Sequence, residues 1–288
     1  MKKIKLLSLL ALTLPVMATA QAEEIIHASL VLANDNPKVI RLWPGETVST
    51  EFVNQHGRIC NINVPTLTAY FPKQKGNGTA VVVCPGGAYS VCGFHDHGTR
   101  LAELLNQEGI VVFVLKYRLK PPSVNAVADA LADGLRAVQV VRSRAGEFGI
   151  NSQRIGMVGY SAGANLTIHV ASEFTAGDPG STDPIERVSS RPDFIGLLCS
   201  WAGSGGTSCP YPLCKDSPPT FICHSKDDKV APVSVAESIV AQLKQLNVPV
   251  ELHLFETGGH ANFDPGGKSS GGRWPELFVV WLRNTLSR

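Results

Sequence analysis

A doubly wound α/β domain, with a mostly parallel sheet and helices on both faces, is the fold the chain predicts from residue 79 onward. Short, β-branched apolar runs recur at 79–84, 110–116, 154–159, 194–199, 220–223 and 250–255. They are apolar on consecutive positions, as suits strands buried on both faces of a parallel sheet. Segments with helical patterning lie between them, and strand–helix alternation of this kind defines the doubly wound class.

Taken in order, residues 1–22 read as a secretory signal peptide. Three lysines within residues 1–5 precede an apolar run over 6–18, and Ala18-Thr19-Ala20 and Ala20-Gln21-Ala22 both offer small-x-small cleavage sites. The run is shorter than the ~20 apolar residues of a spanning helix. An exported protein is therefore expected, periplasmic or secreted, with no membrane association after cleavage and a single domain over 23–288. No cysteine follows the cleavage region, so no lipid anchor is expected.

Residues 23–78 are expected to supply a leading segment and one or two antiparallel edge strands. Helices are expected over 98–108, 124–144, 162–174, 233–246 and 274–286. In the second of these Val127, Leu131, Leu135, Val138 and Val141 recur at helical spacing, with arginines near its end as the helix dipole favours. The Pro/Gly/Ser-rich stretches 176–192 and 202–219 read as surface loops.

Lys and Arg number 26 against 24 Asp and Glu, a net charge of +2. That balance gives no electrostatic basis for binding nucleic acid or an anionic membrane. Seven cysteines are an odd set, which leaves at least one unpaired within the chain. Cys84, Cys199 and Cys223 lie in apolar runs and read as core residues. Cys209 and Cys214 flank a loop and are the disulfide expected in an oxidising compartment. The spacings fit no zinc template. His95-Asp96-His97 lacks a third ligand and is expected to cap the helix beginning near Gly98, so no metal or other cofactor is expected.

The stretch GMVGYSAGANL (156–166) holds the chemistry. A strand runs to Gly159, a helix starts at Ala162, and Gly-Tyr-Ser-Ala-Gly turns between them, the nucleophile-elbow pattern G-x-S-x-G in its strand–turn–helix setting. Serine is a weak nucleophile at neutral pH and needs a base that is itself oriented. The elbow thus predicts an acid and then a histidine, each beyond a later strand. Asp227-Asp228 follows the run at 220–223, and His260 follows the run at 250–255. Ser161, Asp228 and His260 form the expected triad. Asp228 is favoured over Asp227, which reads as a turn residue; the two are adjacent and cannot both face the histidine. His253 alternates within a strand and His224 ends one, so both read as structural. Backbone N–H groups must also meet a developing oxyanion. Ala162, just after the serine, and Gly87 and Ala88 in the Cys84-Pro85-Gly86-Gly87-Ala88-Tyr89 loop are the expected donors. Trp201, Trp274 and Tyr89 are pocket or core aromatics.

With PGGAY, LKYRL, AVQVVRSRAGEFGI, GYSAGANL, RPDF, PPTFICHSKDD, GGHANF and WPELFVVWL in place, the chain resembles the α/β-hydrolase superfamily. More narrowly, it is similar to the bacterial esterase/lipase-like group that includes exported acetyl-xylan esterases. The resemblance implies a triad of Ser161, Asp228 and His260, an oxyanion hole in the PGGA loop, a minimal cap, and a short acyl ester or acetylated oligosaccharide as substrate. Ala88 and Ala164 depart from residues common in the group, and the segment after RPDF is compressed into a Gly/Ser/Cys-rich loop. A prolyl-oligopeptidase-like peptidase and a non-catalytic binding protein on the same fold are the competing readings. The first usually carries a propeller domain for which this length leaves no room, and the second has no need of an intact triad.

Overall fold

The consecutive apolar runs form the strands they predict, because a strand buried on both faces needs apolar side chains on each. The computed structural model describes residues 38–45, 48–260 and 262–287; the expected signal peptide lies outside them. In chain order the strands are β1 (Lys38–Arg41), β2 (Phe52–Val53), β3 (Ile59–Cys60), β4 (Thr66–Tyr70), β5 (Ala80–Cys84), β6 (Val91–Cys92), β7 (Val111–Lys116), β8 (Ile155–Tyr160), β9 (Phe194–Leu198), β10 (Thr220–Ser225) and β11 (Val250–Phe255). The helices are α1 (Arg100–Gln107), α2 (Ala126–Ser143), the single turn α3 (Ala145–Phe148), α4 (Ala162–Glu173), α5 (Ser234–Gln245) and α6 (Trp274–Leu286).

Eight strands make one sheet in the order β1-β4-β7-β5-β8-β9-β10-β11. β4 is antiparallel to both β1 and β7, and every pairing from β7 to β11 is parallel. Of the antiparallel strands expected in the N-terminal region, β1 forms the sheet edge and β4 lies between it and β7. The short β2, β3 and β6 form a separate sheet, which two-residue runs do not announce. β5, β7, β8, β9 and β10 are buried along their whole length. Cys84 pairs opposite Gly159 and Ser225 opposite Phe255, so the loops after β5, β8, β10 and β11 all leave the same sheet edge. That edge is where open α/β sheets place their sites.

α2 departs from its apolar pattern. Val127 is 43% exposed, while Asp133 and Arg136, at 0% and 3%, lie on the buried face. The expected Cys209–Cys214 disulfide is absent, and all seven cysteines are free. The Cys209 thiol turns to the Tyr211 carbonyl, at 3.6 Å, whereas Cys214 sits against Ser217 and is exposed. Among the described residues no helix is long and apolar enough to cross a membrane.

Candidate active site

Ser161 holds φ 53° and ψ −115°, a conformation that costs a non-glycine residue energy. Two hydrogen bonds fix it: its N–H donates to Leu198 O at the end of β9, and its carbonyl accepts from Asn165 N–H, both at 2.9 Å. The flanking glycines do a different job from the one their freedom suggests. Neither has positive φ; both permit close approach. A Cβ on Gly159 would stand 2.1 Å from Gly163 O, and one on Gly163 would stand 1.9 Å from Cys84 O. Without side chains there, α4 packs directly onto β8 and onto the end of β5.

His260 Nε2 lies 2.8 Å from Ser161 Oγ, and His260 Nδ1 lies 2.8 Å from Asp228 Oδ2. The structure thus brings together the three side chains expected from order alone. The Asp228 side chain is fully buried and that of His260 is 24% exposed. Burial would raise the Asp228 carboxyl, but hydrogen bonds from His260 and from the Ala231 and Val230 N–H groups outweigh it and hold it below the usual carboxylate range. The carboxylate therefore stays ionised beside the imidazole at neutral pH.

Asp227 faces the other way. Its carboxylate accepts from Gly258 and Gly259 N–H, at 3.2 and 2.8 Å, tying the acid loop to the turn that presents His260. Asn262, 1% exposed, steadies that turn by donating to Ser225 Oγ and accepting from Gly271 N–H. His224 Nε2 meets Ala231 O at 2.8 Å and braces the acid loop. His253 pairs with Glu251 on the strand, so both keep to structural positions.

The loop after β5 passes beside the serine. A Cβ on Gly86 would stand 3.3 Å from Ser161 Cβ and 2.8 Å from Tyr160 O. Gly87 holds φ 144°, and a Cβ there would strike Val91 O at 1.9 Å, so glycine is required for the loop to fold back. Ala88 follows at φ 53°. The N–H groups of Gly87, Ala88 and Ala162 make no hydrogen bond among the described residues, whereas Gly86 N–H is engaged by His97 Nδ1 at 3.1 Å.

That contact involves a residue whose role the sequence hides. Phe94–Thr99 is a π-helical turn ahead of α1, and it carries His97 onto Tyr160, rings stacked 4.5 Å apart. Burial, aided by Arg58, lowers the His97 imidazole to about 4. It is therefore neutral at pH 7 and accepts from Gly86. Asp96 pairs with Arg58 at 3.0 Å, so the His95-Asp96-His97 segment braces the oxyanion loop instead of capping a helix through a side chain. No group of three or more metal-ligating residues stands together among the described residues.

Asn165, one turn beyond the serine, carries no motif signal in the sequence, yet it ties two loops of the site together. Its Oδ1 accepts from both Tyr89 and Tyr211 hydroxyls, at 2.8 and 2.9 Å, and its Nδ2 donates to Trp201 O. Tyr89 thereby fixes the oxyanion loop, and Tyr211 fixes the loop beyond β9. Of the candidate pocket aromatics, Trp274 is wholly buried, Tyr89 nearly so, and Trp201 is half-buried.

A family model for the α/β-hydrolase fold matches residues 81–209, the stretch from β5 to the loop after β9 that contains the strained serine between β8 and α4. This chain carries the α/β-hydrolase fold. Within that fold its likeness to solved structures extends over most of the chain. The crystal structure of an acetyl ester-xyloside bifunctional hydrolase from Caldicellulosiruptor lactoaceticus is 29% identical with a TM-score of 0.71, over 86% of this chain and 96% of that one. An acetylxylan esterase from Xylanibacter ruminicola is 27% identical over 214 residues, 66% of this chain and 42% of the relative. An endo-1,4-beta-xylanase B from Butyrivibrio fibrisolvens is 26% identical over 223 residues, 68% of this chain and 34% of the relative. The chain thus spans less than half the length of these two curated relatives.

Proposed function

We propose that this α/β-hydrolase is an exported serine carboxylesterase that removes short acyl groups, acetyl above all, from plant polysaccharide such as xylan. The observation that carries the chemistry is the pair of 2.8 Å contacts joining Ser161, His260 and Asp228 beside three unengaged N–H groups. The substrate class is supported by likeness to an acetylxylan esterase and to an acetyl ester-xyloside hydrolase, and by an apolar, lysine-flanked leader at residues 1–22 that suits export.

In this reading Ser161 Oγ attacks the ester carbonyl while His260 Nε2 takes its proton. The Asp228 carboxylate holds the Nδ1–H tautomer and favours the imidazolium that forms. The Ala162, Gly87 and Ala88 N–H groups receive the oxyanion, and preorganised donors of this kind are worth about 3–4 kcal/mol each in a barrier. The sugar alkoxide leaves with the proton returned by His260. Water, deprotonated by the same imidazole, then frees acetate from the acyl-serine. The engaged geometry also speaks against a merely binding role, since a strained serine at hydrogen-bond distance from an oriented imidazole adds nothing to binding.

The test is acetate release from acetylated xylo-oligosaccharide by wild type and Ser161→Ala, with p-nitrophenyl acetate as reference. Release from both substrates, lost in the variant, is expected. Turnover of the small ester alone would keep the esterase and overturn the polysaccharide assignment. N-terminal sequencing of the mature protein from its host checks export: a start near residue 21 or 23 is expected, and an intact leader would overturn it.

A further inference from the structure

A second polar constellation lies on the flank of the sheet. Trp43, two residues beyond β1, donates its indole N–H to Asp133 Oδ1 at 2.8 Å. The Arg136 guanidinium covers the ring, 5.0 Å from its centroid. Both partners belong to the buried face of α2, so the indole is locked in orientation, yet Trp43 remains 36% exposed. Arg136 is 3% exposed. Its Nε donates to Leu42 O at 3.0 Å and its Nη2 pairs with Asp183 at 2.6 Å, but its Nη1 has no partner among the described residues. A buried guanidinium nitrogen without an acceptor is rare, and the Arg136 side chain forms part of the wall of a groove of about 620 Å³ open to solvent, with Nη1 itself sealed from it. Grooves of that size accept small ligands. Arg41 stands exposed on the same groove, donating to Gly45 O at 3.2 Å, and among the described lining residues the acid Asp183 is already engaged by Arg136.

We propose that this groove binds a glycosyl unit bearing a carboxylate, a uronic acid residue of a polysaccharide. The apolar C–H face of its ring lies on the open part of Trp43, and its carboxylate accepts from the exposed Arg41 guanidinium. An indole beside the exposed Arg41 guanidinium suits such a ligand because guanidinium recognises carboxylate with charge-assisted hydrogen bonds. An aromatic acid would need both ring faces covered, whereas a pyranose keeps its hydroxyl rim in water, as an open groove allows.

The position suits a polymer. β1 runs in the same direction as β7, β5 and β8, because β4 is antiparallel to both β1 and β7. Arg41 therefore leaves the sheet at the edge that carries Ser161. Four strand-to-strand steps separate β1 from β8, about 19 Å at the usual spacing, a distance an oligosaccharide spans. Use of the groove to hold the substrate chain rests on the polysaccharide reading above; the binding itself does not.

Calorimetric titration of the full protein with deacetylated xylotetraose carrying one glucuronic acid tests it, against unsubstituted xylotetraose and ferulate. The uronate ligand is expected to bind about tenfold more tightly than the neutral one. Trp43→Ala should weaken it about tenfold and the surface change Arg41→Gln about threefold, both with p-nitrophenyl acetate turnover unchanged. No binding of the uronate ligand, equal binding of the neutral one, tighter binding of ferulate, or undiminished binding by both variants would overturn the proposal. Uronate binding by a protein inert toward every ester would keep this site and remove the esterase reading instead.

Discussion

Gly163→Ala places a methyl group where α4 has no room for one. The added Cβ would lie 1.9 Å from Cys84 O, 2.7 Å from Cys84 C and 2.8 Å from Pro85 O, all backbone atoms with no rotamer to yield. Restoring an ordinary contact of ~3.4 Å requires the helix start and the β5 end to part by about 1.5 Å. Forced overpacking of this kind costs about 1–3 kcal/mol. The displacement falls on Ala162 N–H at one side and on the Gly86–Ala88 loop at the other, the two halves of the proposed oxyanion hole. A misplacement of about 1 Å in such a site lowers kcat on the order of 100-fold. Urea unfolding followed by circular dichroism measures the first effect, and p-nitrophenyl acetate turnover at saturation measures the second. Gly146→Ala is the control: that glycine lies in α3 with nothing within 4 Å of an added Cβ, so the change should be neutral or stabilising by about 0.5–1 kcal/mol. A Gly163→Ala protein with stability within ~0.5 kcal/mol and kcat within about threefold of wild type would refute the close-approach account of the elbow.

The two adjacent aspartates should separate cleanly in kinetics. Asp228→Asn, which leaves Nδ1 of His260 without its carboxylate, is expected to lower kcat on the order of 10³–10⁴-fold. Asp227→Asn should weaken the Gly258 and Gly259 N–H contacts and leave kcat within about tenfold; the reverse pattern in turnover of p-nitrophenyl acetate would exchange their roles. His97 gives a pH signature. Its folded pKa of about 4 lies below the ordinary 6.5, so the unfolded chain binds this proton first. Stability should fall as pH drops from 6.5 toward 4, by up to about 3 kcal/mol from this group. His97→Asn should flatten the slope by one proton while lowering stability at pH 7, where Gly86 N–H loses its imidazole acceptor. Unfolding free energies measured at several pH values check this, and an unchanged slope would show that His97 does not titrate between those limits.

Much of the fold was legible because its core strands are apolar at every position, and only burial on both faces demands that. The expected strand at 220–223 extends to Ser225, since His224 and Ser225 are buried through polar contacts that hydropathy does not register. α2 shows the converse: Val127 lies outward and Arg136 inward, because Arg136 finds Leu42 O and Asp183 across the fold. A periodicity count sees residue type and not partner. The disulfide expected from Cys209 and Cys214 failed for a related reason. Proximity in sequence set neither thiol's direction; packing around Tyr211, whose ring stacks 4.0 Å from His169, did.

By itself the sequence determined the fold class, the elbow at Ser161, and the order in which an acid and a histidine follow it. Those features depend on local pattern: an apolar run, a Gly-x-Ser-x-Gly turn, a polar cluster at a strand end. Tertiary structure decided which side chains meet. It turned Asp228 toward His260 and Asp227 toward the His260 turn, set His97 under Gly86, and made Asn165 the acceptor for two tyrosines. It also named the backbone atoms for which the two elbow glycines leave room, Gly163 O and Cys84 O. These are contacts between segments 11 to 76 residues apart or more, fixed by the parallel register of β5, β8, β10 and β11. No local pattern encodes such a distance; the sheet supplies it by bringing four strand ends to one edge.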